Sequence, residues 1–157
     1  MNERQELLRP ILARYKRQFA VLDLGSGDGL VAQWIRQEFP NAGVFTIDRD
    51  APAAMMHADL KPATLERLSC VEYFSVVLAL NFLHHFAEQD WRQAVSAVAG
   101  MGRHVVVQLP PIGDSRAMGA GIMPELHQAV EAAGGVKIGE AWYEPFKQQR
   151  PIWLLTN

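Results

Sequence analysis

Cysteine is almost missing from this chain. Cys70 stands alone among 157 residues, so no internal disulfide can form, and a reducing, cytoplasmic setting fits. Its ordinary role is that of a small core hydrophobe. Long apolar runs are absent too. None reaches the ~20 residues needed to span a bilayer, and the polar start Met1–Gln5 lacks the pattern of a secretory signal. An excess of one charge is also lacking: 15 basic residues meet 17 acidic ones, for a formal charge of -2. That balance gives no overall pull toward nucleic acid or an anionic membrane surface. Repeats, low-complexity tracts and interdomain linkers are not visible. What remains is ordinary for a globular chain, 49% apolar and 20% charged, and long enough to bury a core as one domain over residues 1–157.

Glycine is not abundant, but it is placed. Val21-Leu-Asp-Leu24 reads as a hydrophobic strand, and a helix is expected from about Leu30 to Glu38. Between them Gly25, Gly27 and Gly29 fall at alternate positions. Glycine tolerates positive φ and lets a ligand touch bare backbone. The following helix aims its free N–H groups and positive dipole end at the same turn. A small-molecule loop is therefore expected. The dinucleotide fingerprint G-x-G-x-x-G is broken, because its third glycine position holds Leu30. Asp23 lies inside the strand instead, and a carboxylate there favours a ligand with a positive group over a pyrophosphate.

At Asp23-Leu24-Gly25-Ser26-Gly27-Asp28-Gly29 the chain resembles the class I S-adenosylmethionine-dependent methyltransferases, whose first motif is D/E-x-G-x-G-x-G. It is similar to their small, type 11/12-like members. The resemblance runs in order from residue 20 to the end. It implies a Rossmann-like three-layer α/β/α sandwich, with a seven-stranded, mostly parallel sheet whose last strand is antiparallel. It implies S-adenosyl-L-methionine as cofactor, with Asp23, Gly25, Ser26, Gly27 and Gly29 around it.

The rest of the chain fits that frame. Residues 2–18 read as an N-terminal helix with an apolar stripe of Leu7, Leu8, Ile11, Leu12, Tyr15 and Phe19, which Pro10 kinks or opens. Arg4, Arg9, Arg14, Lys16 and Arg17 then form a solvated face, with a contact surface for a phosphate-bearing substrate as the alternative. Gly43–Ile47 reads as a second strand ending at Asp48, 21 residues beyond Gly27. An acid at that place is where such folds hold the two ribose hydroxyls; Arg49 would lie beside the adenine. Met55–Leu60 reads as a third strand or turn. There the resemblance gives Asp59 a hydrogen bond to the adenine amino group and Leu60 a place against the ring.

Phe74–Leu80 is a continuous apolar run, as expected of a central parallel strand. It is followed by Asn81-Phe-Leu-His-His-Phe86, which looks like the N-x-L-H-H-F segment of many small methyltransferases. By that likeness, backbone carbonyls near Asn81 would hold the ammonium group of the cofactor. His84 or His85 could act as general base, and adjacent side chains are expected to point different ways. No cysteine or carboxylate cluster joins the pair, so no metal site is expected. A helix over 88–101, a strand over 103–109, a helix over 123–133 and two closing strands, Val136–Tyr143 and Pro151–Leu155, complete the reading. The loop 110–121 is either a lid or a plain connection. Trp142, Tyr143 and Phe146 are read chiefly as core aromatics, with the substrate side as alternative.

Subfamilies drop out by absence. The [DNS]-P-P-[YFW] of amino-methylating DNA enzymes is replaced by Asn81-Phe82-Leu83-His84, and Cys70 follows Ser69 where a cytosine enzyme would have Pro-Cys. The ribose-methylating tetrad is broken at Asn81 and Gln108. A small-molecule acceptor is the favoured partner, with RNA or protein acceptors left open, no membrane partner, and oligomeric state undefined. A non-catalytic cofactor-binding or regulatory subunit is the alternative from another class. An NAD-dependent oxidoreductase is disfavoured by Leu30 and Asp23.

Overall fold

The structure is a computed structural model, and it describes residues 2–48, 73–86 and 91–157. Arg49, Asp59, Leu60 and Cys70, together with the expected third strand or turn, lie outside the described residues.

The first helix, α1, spans Glu3–Leu12. It begins where a capping box closes: the Asn2 side chain accepts the Gln5 amide hydrogen and the Gln5 side chain accepts that of Asn2. It ends six residues before the expected limit at 18. Pro10 lies in its last turn, and a proline there removes an intrahelical donor and crowds the preceding carbonyl. The apolar stripe continues through Tyr15 and Phe19 because those rings stack on each other, centroids 4.8 Å apart, in the chain leading into β1.

Six strands form one sheet: β1 (Phe19–Leu24), β2 (Ala42–Ile47), β3 (Phe74–Leu80), β4 (Gly102–Gln108), β5 (Val136–Tyr143) and β6 (Gln148–Thr156). Their order is β2-β1-β3-β4-β6-β5. The first four are parallel, whereas β6 runs antiparallel to both neighbours. The seven strands expected from the sequence become six among the described residues. β6 also starts three residues earlier than expected, at Gln148, so it reaches further toward the carboxyl edge of the sheet. A one-turn 3-10 helix, Glu144–Phe146, makes the β5–β6 connection.

Three further α-helices among the described residues are α2 (Leu30–Glu38), α3 (Trp91–Ala99) and α4 (Met123–Ala132). The strand period of two sorts the core into two faces. Val77, Ala79, Val105 and Val107 pack with α3 and α4. Val76, Leu78, Leu80 and Val106 pack with α1 and α2, through Leu8, Leu12 and Ile35. Buried on both sides, the central strands read as continuous apolar runs. The result is the Rossmann-like three-layer α/β/α sandwich.

On the outer side α1 docks on β5. Glu3 accepts the Trp142 amide hydrogen at 2.7 Å and a bond from Gln149. Gly139 leaves room for Leu7, since a Cβ there would stand 2.9 Å from the leucine side chain. This docking brings the first turn of α1 close to the carboxyl edge of the sheet, where the site forms. Among the described residues, no helix is long and apolar enough to cross a membrane.

Candidate active site

The carboxyl ends of the parallel strands are level: Leu24 pairs with Ile47, and Leu80 with Gln108. Beyond them lie the glycine turn, Asp48, Asn81 and the loop after β4. The order places β1 and β3 side by side while the chain leaves β1 for β2 on the other side. Ligands of open α/β sheets bind at such a switch point.

Gly25, Gly27 and Gly29 all take positive φ, at 72°, 56° and 72°. Gly25 turns the chain directly over Phe82, and a Cβ there would stand 3.1 Å from the ring. Gly27 faces open space, so its bare backbone is exposed to a ligand. The end of β2 fixes this turn. The Ile47 carbonyl accepts the Gly25 amide hydrogen at 2.7 Å, and the Asp48 carboxylate accepts that of Gly27 at 2.6 Å. Asp48 is buried. It sits where the sequence put the ribose acid, and it also holds the loop, a duty that sequence reasoning did not assign. Ser26 is buried with its hydroxyl unpartnered.

Asp23 is 2% exposed, and its Oδ2 has no hydrogen-bond partner. Burial pushes its carboxyl up to about 7, against the opposing pull of Arg4; Asp48 adds to the rise. Arg4, from α1, is half-buried with an unpartnered Nε, and burial lowers its guanidinium while Tyr143 and Asp23 hold it up. Arg4 therefore belongs to the site and not to the solvated face expected for it. The sequence signal was its place four residues before Leu8, on the buried stripe.

Asn81 takes φ 58°, a left-handed turn for a side chain that tolerates it. Its amide hydrogen goes to the Gln108 carbonyl at 3.0 Å. His84 lies in the 3-10 turn Leu83–Phe86 and is buried, while His85 is exposed. The two rings are nonetheless only 4.2 Å apart. The rings lie close, but one faces the interior and the other solvent, so at most His84 faces inward. Burial, then the fields of His85 and Arg150, push His84 down to about 3. It is neutral across the physiological range and a weak base.

Trp142 is exposed, and Tyr143 and Phe146 are half-buried. These are not core aromatics. Arg150 lies against them, its guanidinium carbon 3.8 Å from the Tyr143 ring centre and 5.1 Å from that of Phe146. Sequence reasoning missed Arg150; its signal was an arginine at the mouth of the apolar run 151–155. The loop after β4 joins this group. Asp114 accepts from Arg116 at 3.0 Å and from Gln148 at 2.7 Å, and Arg116 also donates to Gln148. Those bonds hold the Asp114 carboxyl below its usual range despite its desolvation. At the opposite, amino-terminal edge a groove of about 580 Å³ is lined by Gln18, Asn41, Gly43 and Ser75. It lies at the other edge of the sheet from the glycine turn.

The family model described as a methyltransferase domain matches residues 21–104, more than half of the 157 residues. The chain belongs to the methyltransferase domain family. Solved structures share the fold. The bifunctional kinase-methyltransferase WbdD superposes with a TM-score of 0.76 at 20% identity, over 99% of this chain and 39% of that one. A SAM-dependent methyltransferase from Archaeoglobus fulgidus gives 0.62 at 15%, over 98% and 92%. An O-methyltransferase family protein from Burkholderia thailandensis gives 0.62 at 14%, over 98% and 56%. The chain thus spans about two fifths of the length of WbdD. No curated protein sequence matches it.

The residues present fit the family's cofactor. An orphaned, buried Asp23 oxygen suits a ligand with a cationic donor, and the open face of Gly27 suits close approach to backbone. Among the described residues no cluster of acids, histidines and cysteines could hold a metal.

Proposed function

We propose that the chain transfers a methyl group from S-adenosyl-L-methionine to a small-molecule acceptor by in-line displacement. The observation that carries this reading is the glycine turn itself, clamped by Asp48 and backed by the buried, unpartnered Asp23. Asp23, the turn Gly25–Gly29 and the Asn81 segment would hold the methionine part, and Asp48 the ribose. When bound, the cofactor supplies an electrophilic methyl group on a sulfonium.

The chain's own contribution is then alignment and exclusion of water. Holding two reactants in line is worth roughly 7–11 kcal/mol of barrier, so a strong base is not required. His84 fits that division of labour: it is packed, neutral and weakly basic, and serves as a wall and hydrogen-bonding partner. On the acceptor side Arg150 is buried against Tyr143 and Phe146. A small molecule reaches such a group more readily than a folded macromolecule does.

Calorimetric titration with S-adenosylhomocysteine, with NAD as control, tests the cofactor. Micromolar binding of the first and none of the second is expected. Binding of NAD alone would overturn the reading.

A further inference from the structure

Resting on that reading, we infer that the acceptor carries a compact oxyanion, a carboxylate or phosphate group, which docks on Arg150 beside Gln108. The assignment follows from which atoms are already committed. Arginine can only donate, so Asn81 must turn its Oδ1 toward Arg150 Nη1, 2.6 Å away. The Asn81 amide nitrogen then donates to Gln108 Oε1 at 3.1 Å. That leaves the Gln108 NH₂ group without a partner, and it has none. Arg150 Nε and Nη2 are also buried and unpartnered. The three orphan groups lie on two side chains joined through Asn81, and all three are obligate donors. A ligand rich in acceptors suits them.

The geometry narrows the class. Nε and Nη2 form one edge of the guanidinium, the fork that pairs two parallel N–H bonds with a carboxylate or phosphate. Arg150 is 1% exposed, and among the described residues no carboxylate is bonded to it. The carboxylate whose field reaches it, Asp114, is committed to Arg116 and Gln148. The faces of Tyr143 and Phe146 hold the guanidinium plane and so fix its direction. Arg4 and Arg116 add positive field.

Arg150 is on β6 and the glycine turn is on β1, yet Arg150 Nη1 reaches Asn81 at 2.6 Å. The methionine carboxylate of the cofactor therefore competes for this fork, and saturation with S-adenosylhomocysteine decides between the two occupants. His84, whose Nδ1 is likewise unpartnered and which feels the Arg150 charge, lies between the two regions on the segment after β3.

The test uses the full chain saturated with S-adenosylhomocysteine, titrated separately with inorganic phosphate and with acetate at constant ionic strength. The Arg150 Nε–H signal in a nitrogen-15 spectrum reports occupancy of the fork. One of the two anions is expected to bind and shift that signal, the preferred arm naming the acceptor group. Arg150→Gln should weaken binding at least tenfold, and Arg150→Lys, which keeps the charge and loses the fork, by a smaller factor. Arg103→Gln, exposed at the far edge of the sheet, should change nothing. If Arg150→Gln does not fold, Gln108→Leu should weaken the same anion severalfold. Anion affinity unchanged in the variants, or no binding of either anion to a chain that holds S-adenosylhomocysteine, overturns the inference and leaves the cofactor reading standing. Failure to bind S-adenosylhomocysteine strikes the cofactor reading itself.

Discussion

Asp48 holds Gly27: the carboxylate at the end of β2 accepts the amide hydrogen in the middle of the glycine turn after β1, at 2.6 Å. One side chain thus sets the shape of the loop and stands where the ribose is expected. Hydrogen bonds to a charged group contribute about 1.5–3 kcal/mol, a factor of roughly ten to a hundred in affinity. Asp48→Ala should therefore weaken S-adenosylhomocysteine by at least tenfold and lower the melting temperature. Asp48→Asn, which keeps an acceptor for Gly27, should lose affinity with a smaller loss of stability. Calorimetry and thermal unfolding on both variants separate the two duties; full affinity in Asp48→Ala would show that the acid touches no ligand.

Two glycines of the turn should fail in different ways. At Gly25 a methyl group meets the Phe82 ring at 3.1 Å, and the φ of 72° is unfavourable for any side chain. The backbone term alone costs about 1–2 kcal/mol, so Gly25→Ala should destabilise the fold. Gly27 carries a similar φ but faces open space. Gly27→Ala should bear the backbone cost without a packing clash, and lose cofactor affinity because its methyl group fills the approach. Denaturant unfolding set beside binding would show the contrast; equal loss of stability at both sites would contradict it.

The glycine turn of this molecule is largely legible in its sequence. Period-two and continuous apolar runs place β1 to β4, and the motif Asp23–Gly29 with Asp48 locates the glycine turn and its acid, because those signals are local along the chain. The surroundings of Arg150 are not legible in that way. Arg4, Gln108, Arg150 and Asp114 come from four distant segments, brought to the same edge of the sheet by the docking of α1 on β5 and the early start of β6 at Gln148. Tyr143 and Phe146 mislead for the same reason: an aromatic near a strand end reads as core until its neighbour is known to be a buried guanidinium. The length of α1 misleads because the stacked pair Tyr15–Phe19 continues the helical spacing past the helix.

Asp23 should make cofactor binding depend on pH. Its carboxyl is raised to about 7, chiefly by burial. A cationic ligand favours the ionised form, so binding below that pH must release a proton. Affinity for S-adenosylmethionine should rise as pH climbs from about 5.5 to about 7 and then level off. Calorimetry in two buffers of different ionisation enthalpy reads the proton directly. A pH-independent affinity would place the cofactor's charge away from Asp23.

The same carboxyl and His84 act in opposition on stability. Between pH ~4 and ~7 the folded chain keeps a proton on Asp23 that the unfolded chain has lost, so this group makes the fold less stable as pH rises. His84 is pushed down to about 3. Between pH ~3 and ~6.5 the unfolded chain binds a proton there that the folded chain refuses, so this group makes the fold more stable as pH rises. Each would impose a slope of at most about 1.4 kcal/mol per pH unit, and over pH ~4 to ~6.5 the two cancel. Removing either one exposes the other. Asp23→Asn should leave a stability that climbs with pH through this window, and His84→Gln one that falls, relative to the parent chain. Denaturant unfolding at pH 4.5, 5.5 and 6.5 (values of roughly this spacing suffice) measures both slopes. Parallel curves for the parent and both variants would mean that neither group is buried in the ionisation state described. The outcome also bears on chemistry: a His84 that stays neutral through this range gives no inflection to a pH–rate profile, and the His84→Gln enzyme should retain turnover within about tenfold, where loss of a general base would cost roughly 10²–10⁴-fold.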